Sequence, residues 1–156
     1  MTSITLLTSH NYFPALRDAI LSAQSSIDIL LYQFNRYVGN SNSKITQLTY
    51  ALLKAHQKGV PIRLILNAAF SSKSASAVNQ STVDFFRKQG IPARLGPKNL
   101  RIHAKVFVID HSLVILGSHN LSERAVTKNI EFSLLINSPS LASSLTISFD
   151  EIWKTP

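Results

Sequence analysis

At 156 residues, 45% hydrophobic and 15% charged, the chain is sized for one globular domain with its own core, a composition that excludes intrinsic disorder. The lack of cysteine excludes disulfides, thiol catalysis and Cys-based zinc sites. Lys and Arg number 16 against 8 Asp and Glu, a formal net charge of +8, so the surface carries a positive field that favours polyanions.

Hydrophobic spacing predicts alternating strands and helices. Residues 3–8 read as a short strand, and 11–23 as a helix with Phe13, Leu16, Ala19, Ile20 and Ala23 on one face. Residues 25–34 form an apolar strand interrupted by Asp28. Residues 43–58 have helical spacing through Ile45, Leu48, Leu52 and Ala55, with Gly59 suited to the C-terminal cap. A strand over 60–66, a helix over 82–89 ended by Gly90, and a short strand over 92–95 follow. Two strands, 101–109 and 113–116, are joined tightly through Asp110, His111 and Ser112. A polar turn, a strand over 130–136 and a helix over 141–153 complete the chain.

This order predicts an α/β fold, one domain per chain over 1–156, in which a mixed β-sheet is flanked by helices on both faces. The segments 35–42 and 67–80, rich in Ser, Asn and small residues, read as irregular; the second is either a mobile binding loop or partly helical. The longest apolar runs, 27–32 and 106–109, are strand-length, and no basic helix carries an aromatic or Leu-rich face, so stable membrane insertion is not expected. The N-terminus shows no basic, apolar secretory pattern. The expected compartment is the cytoplasm if the chain is complete, and the periplasm or outside the cell if a signal peptide has been removed.

The most informative stretch is His103-Ala104-Lys105, then Asp110, then Gly117-Ser118-His119-Asn120. On an extended strand, residues two apart share a face, which sets the imidazole of His103 beside the cation of Lys105. Imidazole is a good nucleophile near neutral pH, and lysine suits a phosphate oxygen gaining charge during attack. A turn at Gly117-Ser118 is expected to bring backbone N–H groups to the same anion, with the Asn120 amide as a further donor. Lys105, Gly117, Ser118 and Asn120 are therefore the phosphate-binding candidates. Asp110, of opposite parity and at the strand's end, reads as structural, pairing with a basic side chain or capping the turn. A catalytic imidazole also needs an orienting acceptor. Glu131, embedded in an apolar strand, is the preferred partner of His103, an exposed edge position being the alternative.

His103, Lys105, Asp110, Gly117, Ser118 and Asn120 resemble the HKD motif of the phospholipase D superfamily. The short chain, single motif and basic charge are most similar to its bacterial Nuc-type endonucleases over residues 3–153. The resemblance implies a mixed sheet flanked by helices and a two-histidine mechanism without metal or cofactor. One histidine attacks phosphorus to give a phosphohistidine, and the other protonates the leaving oxygen. It further implies that a Glu after the Gly-Ser-x-Asn segment, Glu131 here, orients the nucleophile. One motif per chain then requires a homodimer that brings two copies of His103 together.

Of the other histidines, His56 and His111 read as solvated, and His119 is a candidate substrate contact. No Asp-x-Asp or His-x-x-x-His spacing suggests a metal site. Lys98 and Arg101, leading into the catalytic strand, are either a solvated loop or a binding site for flanking phosphates. Arg36 with Tyr37, and Arg124 with Lys128, are further nucleic-acid-binding candidates. Tyr32 and Phe34 read as core or dimer-interface residues. The expected function is a metal-independent phosphodiesterase, an endonuclease with little sequence preference acting on DNA or RNA. The alternatives are a phospholipid-hydrolysing enzyme using the same residues, and a nucleic-acid-binding module of a larger assembly.

Overall fold

The computed structural model describes residues 2–37, 39–68 and 73–155, with the backbone alone at Ser74 and Ala75. Residues 69–72 of the 67–80 segment and Val38 of the 35–42 segment lie outside the described residues. In chain order the elements are β1 (Ser3–Leu7), α1 (Tyr12–Ser22), β2 (Ile27–Leu31), α2 (Lys44–Gln57), β3 (Ile62–Leu66), α3 (Lys73–Lys88) and β4 (Ala93–Leu95). Then come β5 (Lys105–Ile109), β6 (Leu113–Gly117), α4 (Glu123–Thr127), β7 (Ser133–Asn137) and α5 (Pro139–Lys154). The strands form one seven-stranded sheet in the order β1-β7-β6-β5-β2-β3-β4. β2, β3 and β4 run parallel, as their helical connections require, and the remaining pairs are antiparallel.

Both faces are covered, which explains why the central strands are apolar at both parities. On one face Ile29, Leu64, Phe107 and Ile115 pack beneath α1, α2 and α3 in the main core. On the other, Val108, Val114 and Ile136 meet Ala142 of α5, and Ile65 meets Phe149. Asp28, which interrupts the β2 apolar run, is 4% exposed and is matched by Arg63. The guanidinium donates to both Asp28 oxygens at 2.7 and 2.8 Å and reaches Asp150 at 2.8 Å, joining β2, β3 and α5.

The α/β architecture agrees with the sequence expectation, and the differences are local. α3 starts at Lys73 rather than at residue 82, so of the two readings of the 67–80 segment the partly helical one holds. The reason is Asn79, fully buried, whose amide is tied to the chain on both sides. It accepts from Phe34 N at 3.1 Å and donates to the carbonyls of Tyr32 and Asn67 at 2.9 and 3.0 Å. The polar turn after β6 contains α4, capped by Ser122 and tied to the start of α2 by a 2.7 Å bond from Ser43 Oγ to Glu123. β5 starts at Lys105 and β7 at Ser133, so His103 and Glu131 both lie just ahead of strands rather than within them.

Candidate active site

One edge of the sheet gathers the motif. The C-terminal ends of β2, β3 and β6 and the N-terminal ends of β5 and β7 meet there, as the parallel and antiparallel registers demand. His103 is exposed at this edge, whereas Lys105 is only 8% exposed. The ammonium of Lys105 lies 3.2 Å from His103 Nδ1 and donates to the His103 carbonyl at 2.7 Å, so the expected imidazole–cation pair is formed even though His103 precedes the strand. Burial lowers the Lys105 pKa, and the charge of Glu131 acts in the opposite sense.

Tyr32 belongs to this site, which the sequence reading missed. Its ring lies 4.9 Å from the His103 ring and 5.3 Å from Lys105 Nζ, making an aromatic wall behind both groups. The signal available was its position directly after the apolar β2 run. Asn79 was missed too, because a lone polar residue in a Ser-rich segment reads as loop.

The turn after β6 differs in detail from a backbone phosphate cradle. Ser118 N donates to Phe132 O at 2.9 Å, and Ser118 Oγ donates to Glu131 while accepting from Phe132 N at 3.1 Å. Ser118 is thus engaged within the chain. A Cβ at Gly117 would lie 2.4 Å from Phe132 O and from Ser133 Cα, so glycine is there for the close approach of β7. Asn120 follows this turn; its Oδ1, an acceptor, is shielded from solvent and has no hydrogen-bond partner among the described residues, an unusual state for a buried polar atom.

Glu131 is bonded to Ser118 and, at 3.1 Å, to Asn129 Nδ2, and not to His103. The expected carboxylate–imidazole pair does not form within one chain, because Glu131 lies in the connection before β7 and falls against the end of β6. His119 is also corrected as a substrate contact. It is fully buried, stacked on Tyr12 at 3.9 Å and 4°, with Nδ1 2.8 Å from Ser133 Oγ. Burial lowers its pKa, and the charge of Glu131 acts in the opposite sense. Burial, joined by the charge of Glu131, raises that of Tyr12.

Asp110 is structural, but with a different partner than either expected. At positive φ in the β5–β6 turn, it accepts the backbone N–H groups of Gln24, Ser25 and Ser26 at 3.0, 2.7 and 3.1 Å. Burial pushes its pKa up but is outweighed by these donors, and the net shift is downward. Lys98, Arg101, Arg124 and Lys128 are exposed, and Arg36 is half-buried. Among the described residues no three His, Asp or Glu side chains come together as a metal-ligand set, and no helix is long and apolar enough to cross a membrane.

The family model described as "Cardiolipin synthase, PLD-like domain" matches residues 16–153. The chain belongs to the phospholipase D superfamily. Members of the superfamily are phosphodiesterases. Among curated relatives, it is 30% identical over 136 residues to a mitochondrial cardiolipin hydrolase of Chlamydomonas reinhardtii, covering 87% of this chain and 55% of that one. It is 27% identical to the human mitochondrial cardiolipin hydrolase, covering 87% of this chain and 48% of that one. The chain thus spans about half the length of these relatives. Among solved structures, Nuc from Salmonella typhimurium, a phospholipase D family member, superposes with TM-score 0.80 at 27% identity, covering 98% of this chain and 95% of that one. NucT from Helicobacter pylori shares the fold with TM-score 0.76 at 19% identity, over 99% and 97% of the two chains.

Proposed function

We propose that this phospholipase D superfamily chain is a metal-independent endonuclease acting on DNA or RNA through a covalent phosphohistidine at His103. The observation that carries the reading is the exposed His103 imidazole held against the nearly buried Lys105 ammonium at 3.2 Å, a nucleophile with a fixed cation at its side. His103 attacks phosphorus and forms an N–P bond as the P–O bond to the leaving oxygen breaks. A second histidine delivers the proton to that oxygen. Water, deprotonated by the second histidine, then opens the N–P bond and regenerates His103. Lys105 and Asn120 bind the phosphate oxygens. Ser118 and Gly117 shape the site without donating their own groups to it.

The second histidine is taken from a second copy of the chain, in a homodimer with the active site at its twofold axis. Two observations support this. Lys105 Nζ lies at His103 Nδ1 and Glu131 bonds to Ser118 and Asn129, so among the described residues of one chain no carboxylate orients the imidazole. An orienting carboxylate must therefore arrive from outside the chain, and Glu131 of a second copy is the proposed source. Large apolar side chains also stand exposed around this edge: Leu100 at 61%, Ile130 at 90% and Phe132 at 57%. Exposed apolar groups around a polar site mark an interface.

Nucleic acid is favoured by the +8 charge and by the near full-length match to Nuc. The competing reading is a phospholipid diester at the same residues, favoured by the relatives named cardiolipin hydrolases. The test incubates purified protein in EDTA with labelled single- and double-stranded DNA, RNA and cardiolipin vesicles. Nucleic-acid cleavage is expected, and His103→Asn is expected to reduce it by at least roughly 10⁴-fold. Activity that survives this substitution or requires added Mg²⁺ refutes the mechanism; cleavage of vesicles alone replaces the substrate.

A further inference from the structure

Arg36 stands out among the cations of this chain. Its guanidinium lies over the Phe85 ring, 3.8 Å from the centroid, and its Nε is shielded from solvent with no hydrogen-bond partner among the described residues. No carboxylate pairs with it: the described ion pairs are Arg17–Asp18, Arg63–Asp28 and Arg63–Asp150. Asp84 lines one of the adjoining cavities but is engaged by Gln80 Nε2 at 2.8 Å. A guanidinium stacked on an aromatic face and paired with no carboxylate among the described residues is held in one plane, a geometry that suits a phosphate.

Two cavities meet at this residue. One, of about 410 Å³, lies between α2 and α3 and includes Tyr37, Tyr50, Phe85 and Gln89 in its wall. The other, also about 410 Å³, runs along α3 past Lys88. Each is large enough for a nucleotide. Tyr50 is 61% exposed, an aromatic surface open to stacking. The position relative to the catalytic edge is fixed by the backbone. Phe34 bridges Leu121, the residue after Asn120, and Asn35 N donates to Leu121 O at 2.8 Å. Tyr32, against His103, is four residues from Arg36, so their Cα atoms are at most about 14 Å apart.

We propose that Arg36 and the α2–α3 groove form a subsite for a single-stranded nucleic acid, Arg36 binding a phosphate several nucleotides from the scissile one and Tyr50 stacking a base. The inference rests on the nuclease reading above and adds the path the strand takes away from His103. Base stacking on an aromatic ring is sequence-tolerant, consistent with little sequence preference.

The experiment measures steady-state cleavage of oligothymidylates and oligouridylates of increasing length, from the dinucleotide upward, and of cardiolipin vesicles, by wild type, Arg36→Gln, Arg36→Lys and Lys88→Gln. Lys154→Gln, at the end of α5, controls for loss of one charge. Arg36→Gln is expected to raise KM for long strands roughly tenfold, with a much smaller effect on the dinucleotide and a small one on kcat. The slope of log affinity against log salt should fall by about 0.7. Arg36→Lys, which keeps the charge but not the planar fork, should recover part of the loss, and Lys88→Gln should show a lesser one. An unchanged length dependence in both Arg36→Gln and Lys88→Gln overturns the subsite while leaving the nuclease reading intact. Wild-type protein that cleaves no oligonucleotide overturns both, and an Arg36→Gln defect confined to anionic vesicles overturns the subsite in favour of a headgroup site.

Discussion

The Asp110 carboxylate accepts three successive backbone N–H groups from residues 24–26, and this explains its fixed place in the motif without any chemistry at phosphorus. It anchors the far end of β5, and hence the register that presents Lys105 at the other end. Its pKa is lowered on folding, so its contribution to stability is present above the unfolded value of about 3.9 and is lost as pH falls through the folded value. Asp110→Asn is expected to lower stability by about 1–3 kcal/mol at neutral pH, with a shallower loss of stability on acidification. Urea midpoints across the acid range check both statements, and equal acid sensitivity of the two proteins defeats the assignment. His119 shows the converse case. A variable motif position looked available for substrate, yet the ring is a core residue stacked on Tyr12, because the turn after β6 folds inward over Ser133.

At the scale of elements, β6 and β7 approach so closely at Gly117 that no side chain fits. Gly117→Ala must separate the strands, at a cost of about 1–3 kcal/mol, and displace Ser118, which holds Glu131. Reduced thermal stability and a fall in kcat are expected together; a variant with wild-type melting and turnover removes the steric explanation. The same region shows what could be read from sequence. Among the described residues, hydrophobic periodicity marks all seven strands and four of the five helices, since buried faces leave a strong pattern. It also placed His103 beside Lys105 by spacing, and the pair is seen. The remainder depended on long-range contacts that leave little local trace. α3 extends to Lys73 because Asn79 bonds to Tyr32, Phe34 and Asn67, and α4 forms because Ser122 caps it and Glu123 reaches Ser43. Glu131 was assigned to His103 from its apolar surroundings, yet a strand start at Ser133 rather than residue 130 directs it to Ser118.

For the whole molecule, the decisive quantity is how many chains make one site. The positive field of one domain doubles in a dimer, and the exposed Leu100, Ile130 and Phe132 around the catalytic edge would then be covered. If each site uses His103 from two chains, a single His103→Asn subunit inactivates the dimer that contains it. Wild-type and His103→Asn chains, mixed in known ratio and refolded together, should then show activity falling as the square of the wild-type fraction. An equal mixture should retain about one quarter of full activity, set by random pairing into twofold dimers. Self-sufficient subunits would instead retain about one half, the linear result, whether or not they associate. Sedimentation of the same mixtures establishes that pairing is complete, so that a linear dependence in a fully dimeric sample defeats the shared site directly. Phe132→Glu, introducing a charge into the proposed contact, extends the argument: dissociation and loss of turnover should follow the same dilution curve.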